Sequence, residues 1–426
     1  MDTTSSATSD LTMGALVSEV HGLLQAEPDA PSIEQLKGVF RTLYASSLLK
    51  EEGRAVRARV VIAPPRAFPL TEGPPDGEHV LKFTVSHQLT PNEIKRLSPA
   101  AGFFHSAIAI WPEGDRGFRI WGLLNTGQRW MNLVAGGRKP LGNELPFPLI
   151  HVRDPGWLLF YHNYQLLAEW RGTDFFDARL DVFQSHILTD RFEPLRRRMI
   201  EDIIECCLPD NMDLKAYSDL SHLIAQQFIK RLISLVRTSG HGGTLVFLPE
   251  GQEGIDASAQ WIDCKYSVET DEAGLRFRFL LQSIIRRVGQ LSPRGSSMEQ
   301  AWDIFRTSHD PELDRLEEAF FELARFFSDL MQVDGALVLD QRLCVIGFGG
   351  EIRVDRNVIM VQQAHDLTGQ RRTDWNVLND GTRHRSIYRL CSVEPKVIGF
   401  VISQDSQVRL IANMEENVVF WIHTMV

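Results

Sequence analysis

The C-terminal half of this chain interleaves two hydrophobic periods, and that interleaving leaves few architectures open. Leu313, Leu316, Phe320, Leu323 and Phe327 recur at helical spacing. The helix they predict runs directly into VDGALVLD, a strand signal. Further short apolar runs follow, LCVIGFG, VIMVQQA, KVIGFVIS, VRLIAN and VVFWIH, with one helical segment, GTRHRSIYRLC, among them. Upstream, Leu220, Leu223, Ile224, Phe228, Leu232 and Leu235 predict another helix, and SGHGG leads from it into the strand TLVFLPE. Strands alternating with helices in this way predict an α/β domain with a mixed central sheet flanked by helices.

The N-terminal half reads differently. Two helical patterns are separated by AEPDAPS, and Ser32 followed by Glu34 and Gln35 after Pro31 reads as a helix start. The stretch APPRAFPLTEGPPDG predicts a linker or long surface loop. HVLKFTVS, FHSAIAIW, FRIWGLL and WLLFYHNYQLLAEW, separated by turn signals, predict a β-rich module of five or six strands. Its aromatics (Trp111, Trp121, Trp130, Trp157, Phe160, Tyr161, Tyr164 and Trp170) read as the core of a small β-domain, with base stacking as the alternative. A first helix of the C-terminal half is expected through Leu195, Met199, Ile203 and Ile204, with Arg196, Arg197 and Arg198 on its solvated face or against phosphate. The expected organisation is a helical region 1–62, a linker 63–78, a β-rich module 79–183 and the α/β domain 184–426.

Composition excludes several classes. At 426 residues, 43% apolar and 23% charged, the chain suits a soluble globular protein of two or three domains. A net charge of −10 argues against duplex DNA as partner. The five cysteines are odd in number and show no CxxC spacing, so reduced thiols are expected and not a zinc site; the adjacent Cys206 and Cys207 read as core. No apolar run reaches the ~18 residues of a membrane span, and the polar start MDTTSSATSD does not resemble a signal peptide. A cytoplasmic location without a membrane partner is therefore expected.

Three short pieces near the C-terminus carry potential chemistry. Asp334, Gly335 and Ala336 open a strand; Gly381, Thr382, Arg383, His384 and Arg385 open a helix; Ser403, Gln404 and Asp405 close a strand. Glycine permits close backbone approach, and a helix start offers N–H groups that attract anions. Arg383 and Arg385 add forked donors suited to phosphate, and His384 adds a donor or proton carrier near neutral pH. Asp334 and Asp405 are acids at strand ends, and Mg²⁺ typically takes one or two carboxylates plus substrate phosphates. The set reads either as a site for a metal-bound nucleotide or as a turn glycine, a solvated basic face and a loop acid.

LMQVDGALVLD, then DGTRHRSIYRLC, then VIGFVISQD resembles the signature of diadenylate cyclases. Together with GHGGTL and GFGGEI, it is similar to a divergent branch described as a probable nucleotide-sensor family, DACNV. The resemblance implies a diadenylate cyclase-like fold for residues 184–426. It implies that Asp334 holds a catalytic Mg²⁺ or Mn²⁺ and helps to activate a ribose 3′-hydroxyl. Asp405, where the family usually has Glu, is implied as the second metal ligand. Thr382, Arg383, His384 and Arg385 are implied to bind triphosphate oxygens, with Gly335, Ala336 and Ser403 lining the nucleotide site. In the family's reaction two ATP molecules meet across a dimer and become cyclic di-AMP, so a homodimer or higher homo-oligomer is implied as well. Three readings stand: a sensor that binds ATP or a cyclic dinucleotide in bacterial signalling or defence, a working diadenylate cyclase, and a scaffold without ligand.

Overall fold

The computed structural model describes residues 12–68, 79–101, 106–125, 146–163, 165–177, 181–193, 209, 211–249, 260–269, 272–404 and 407–423. The described residues divide into two compact units, those from 12 to 177 and those from 181 to 423.

The first unit opens with two capped helices, α1 (Met13–Leu24) and α2 (Ile33–Ser47). Ser32 and Gln35 form a reciprocal capping box on α2, as the Ser-Ile-Glu-Gln spacing predicts. Eight strands form one sheet: β3 (Ala58–Ile62), β4 (His79–Gln88), β5 (Ser106–Pro112), β6 (Phe118–Asn125), β7 (Leu149–Asp154), β8 (Trp157–His162), β9 (Gln165–Arg171) and β10 (Asp174–Asp177). A short hairpin, β1 (Lys50–Glu51) and β2 (Arg54–Ala55), and helix α3 (Pro91–Leu97) complete the unit. The sheet order is β10-β9-β8-β7-β3-β5-β6-β4, with β3 parallel to β5 and the other pairs antiparallel.

The strand β3, which precedes the Pro/Gly-rich stretch, lies inside this sheet and is buried at every residue. Seven strands, β4 to β10, are described between residues 79 and 183, against the five or six expected. Trp111, Trp121, Trp157, Phe160, Tyr161 and Trp170 are all buried, so these aromatics form the core and are closed to bases. Trp130 and Tyr164 lie outside the described residues.

In the second unit a nine-stranded sheet separates two layers. Its strands are β11 (Gly243–Leu248), β12 (Ile262–Ser267), β13 (Ala336–Asp340), β14 (Val345–Ile352), β15 (Met360–Ala364), β16 (Arg372–Asn376), β17 (Ile398–Ile402), β18 (Val408–Met414) and β19 (Asn417–His423). The order is β12-β14-β13-β11-β17-β18-β19-β15-β16, with β11–β13 and β15–β19 parallel. The mixed sheet flanked by helices is as the alternating pattern predicts.

After a short helix, α4 (His186–Arg191), four helices pack on one sheet face: α5 (Leu214–Ser239), α6 (Glu272–Leu291), α7 (Met298–Thr307) and α8 (Pro311–Leu330). Their apolar stripes meet Leu245, Phe247, Leu337, Leu339, Phe400 and Leu410. The opposite face carries α9 (Thr382–Val393), which buries Ile387, Tyr388, Leu390 and Cys391 against Val246, Val338, Val401 and Ile411. The expected helix through Leu195 to Ile204, its arginine run and Cys206–Cys207 lie outside the described residues. Among the described residues no helix is long and apolar enough to cross a membrane.

Candidate functional site

Strand register gathers the three motif pieces at one end of the second sheet. Thr244 of β11 pairs with Ala336 of β13, and Gly243 pairs with Ile402 of β17. The residues just outside those pairs are Gly242, Asp334–Gly335 and Ser403–Gln404, so all three sit at the same sheet end. The first turn of α9 reaches the same place: Arg383 Nη1 donates to the His241 carbonyl at 3.2 Å.

Two glycines make this convergence possible. Gly242 has φ +67°, and a Cβ there would stand 2.6 Å from Ile402 O, 3.0 Å from Arg383 Nη1 and 3.1 Å from Gln404 N. Gly335 has φ +122°, and its Cβ would stand 2.4 Å from the Gly349 carbonyl carbon of β14. Gly335→Ala combines a forbidden backbone region with a backbone clash. It is expected to cost at least ~1–3 kcal/mol of stability, read from the urea midpoint of the variant against the wild type.

Asp334 is exposed, and no hydrogen bond or ion pair engages its carboxylate among the described residues. Asp405 lies outside the described residues. Among those described, no group of three His, Cys, Asp or Glu side chains could hold a metal ion. One exposed carboxylate does not make a cation cage by itself. It does suit Mg²⁺ or Mn²⁺ whose remaining ligands are phosphate oxygens and water.

The remaining motif residues are distributed around α9. Gly381 is the N-cap and supplies no side-chain hydrogen bond, so the first-turn N–H groups lack a side-chain cap. Thr382 and Arg383 are exposed. His384 is buried, with its ring 6.4 Å from that of Tyr388. Arg385 is half-buried and leaves the helix about 200° around from Arg383, two residues on. The two arginines therefore do not share a direction. Ala336 packs between sheet and α9, and Ser403 Oγ donates to the Gln407 carbonyl at 3.1 Å, closing the β17–β18 turn.

What aims α9 at the sheet end is a network the motifs do not reveal. Arg409 of β18 donates through Nη1 to Asp380 Oδ1 and to Tyr388 Oη, each at 2.8 Å. Trp375 Nε1 and Tyr388 Oη donate to Asp380 Oδ2 at 2.8 and 3.0 Å. The Arg409 guanidinium lies 4.5 Å from the Phe420 ring centroid. Asp380 immediately precedes Gly381, so this buried cluster fixes the chain where the helix begins. Burial pushes the Tyr388 phenol above its ordinary range, and the phenol stays a donor. The hydrophilic stretch HDLTGQRRTDWNVLND supplies β16 and this anchor.

Comparison with known proteins adds a separate observation. Residues 25–125 match the family model described as probable sensor domain DACNV. The branch suggested by the motifs is thus the branch named by the family model. The DACNV match, however, spans α2 to β6 of the first unit, whereas the motifs stand in the second. No curated protein matches the chain. A solved structure, a hypothetical membrane spanning protein from Bacillus cereus, is 12% identical over 55% of this chain and 95% of its own, with a TM-score of 0.22. A score that low carries no argument.

Proposed function

We propose that the protein is a nucleotide sensor whose residues 184–426 form a diadenylate cyclase-like domain that binds ATP or a cyclic dinucleotide in bacterial signalling or defence. The observation that carries this reading is the meeting of Asp334, Gly242, Arg383 and the uncapped start of α9 at one sheet end. An anion at that position meets N–H groups, the helix dipole and a guanidinium together. The DACNV match in the first unit supports sensing over synthesis.

The uncommitted carboxylate of Asp334 favours a second reading, a diadenylate cyclase acting as a homodimer or higher homo-oligomer. In that reaction the 3′-oxygen of each ATP bonds to the α-phosphorus of the other, and two pyrophosphates leave. Bound Mg²⁺ or Mn²⁺ would lower the pKa of the attacking hydroxyl and neutralise developing charge. Asp334 would hold that cation, while Arg383 and the helix start would hold phosphate oxygens in line for attack.

Incubation with labelled ATP and either metal, with binding measured in parallel, separates the readings. We expect ATP binding that weakens when EDTA removes the metal, with turnover slow or absent. Asp334→Asn should abolish the difference between metal and EDTA, since it removes the carboxylate charge that would hold the cation while keeping the side chain's size. Robust multiple-turnover synthesis of cyclic di-AMP, lost in Asp334→Asn, would establish the enzyme. No binding of ATP or cyclic di-AMP under any condition would leave the scaffold.

A further inference from the structure

We propose that Lys265 is a further phosphate-binding cation of this site and selects a nucleoside triphosphate over a cyclic dinucleotide; the inference rests on the nucleotide site proposed above. Lys265 lies on the edge strand β12. The pairs Cys264–Gly350 and Tyr266–Phe348 set it opposite Gly349 of β14. The Cβ position of Gly349 lies 3.4 Å from both Cβ and Cδ of Lys265, and 3.5 Å from the Asp334 carbonyl oxygen. The aliphatic stem of Lys265 therefore crosses the bare backbone of Gly349 beside the turn that carries Asp334. A side chain at 349 would occupy that path.

The ammonium group is uncommitted. Lys265 is exposed, and no hydrogen bond or ion pair engages it among the described residues. Asp263 and Glu351, the acids beside it on β12 and β14, are both paired with Arg353. In the order β12-β14-β13-β11-β17, Lys265 stands on one side of Asp334, and Arg383, held at the loop before β11, stands on the other. A cation, an acid able to hold a metal, and a second cation thus lie along one sheet end, Lys265 two strands (roughly 10 Å) and Arg383 one strand (roughly 5 Å) from the strand that follows Asp334. A triphosphate concentrates its charge in one short chain and can engage all three. A cyclic dinucleotide carries one charge on each of two phosphodiesters separated by sugars, and so offers each cation less charge and no chain of adjacent phosphates. Lysine suits the outer position because it is a point charge on a flexible stem.

Calorimetry on the full-length protein with Mg²⁺, using ATP and cyclic di-AMP as probes, tests the assignment. Lys265→Ala is expected to weaken ATP binding about tenfold or more, the usual loss for one charge-assisted contact, and to leave cyclic di-AMP unaffected. Lys265→Arg should retain ATP binding. Lys265 is exposed, so unchanged melting of both variants is expected, and a lowered melting temperature with a parallel loss for both probes would mark a structural role and overturn the proposal. Unchanged ATP affinity in Lys265→Ala, or a wild type that binds cyclic di-AMP alone, also overturns it while the nucleotide site stands. A wild type that binds neither probe overturns the site itself.

Discussion

Replacing Asp380 with asparagine should destabilise the second unit by about 3–5 kcal/mol, the usual cost of stranding one partner of a buried ion pair. Both side chains are almost wholly buried, at 3% exposure for Asp380 and 6% for Arg409. Asparagine is close in size but keeps one acceptor oxygen where donors converge on two, so its NH2 faces a donor whichever way it turns, and it leaves the guanidinium charge uncompensated. Urea unfolding followed by tryptophan fluorescence reads the change as a lower midpoint. Asp380→Leu combined with Arg409→Met should cost much less than the sum of the single changes, because no charge is left behind. Additive losses would show that the pair is not the unit holding the start of α9.

Arg383→Ala should weaken nucleotide binding by about 1.5–3 kcal/mol, or roughly one to two decades, while the unit remains folded. Arg383 is exposed, and its one described hydrogen bond, to the His241 carbonyl, is replaceable by water. Arg383→Lys should recover only part of the loss, because ammonium keeps the charge but not the planar fork. Arg385→Ala provides the comparison. Arg385 leaves α9 in another direction, so a smaller effect on the same ligand is expected. Equal affinity of Arg383→Ala and wild type in calorimetry, with melting unchanged, would take Arg383 out of the site.

Much of the second unit was legible because its signals are local. The stripe from Leu313 to Phe327, the strand after Asp334 and the helix after Gly381 each declare themselves within a single short segment. Each motif also borders an element end, and register then brings those ends together. The remainder depends on contacts between distant segments. Asp380 and Arg409 are 29 residues apart, and neither carries a local sign of its partner. Nothing in GHGG says which glycine must admit Arg383. The stretch from His365 to Asp380 looks like a hydrophilic insertion, yet Asp366 closes its turn by accepting from the Gln370 and Arg371 N–H groups, and the chain then adds an edge strand. In the first unit, helical and strand periods suggested separate regions. The apolar run at 58–62 has too few residues to announce that it pairs with two strands far beyond the Pro/Gly-rich stretch.

The position of β3 bears on how the region that matches the DACNV model can be cut out and handled. The DACNV match ends at Asn125, the last residue of β6, yet β3 also pairs antiparallel with β7, which begins at Leu149. A fragment stopped at 125 would lose four of the eight strands and uncover an edge whose five residues are all buried in the intact unit. An uncovered apolar edge recruits other strands. The unit of sequence similarity is thus smaller than the unit of folding, and a fragment that keeps this sheet whole has to run through β10, to Asp177.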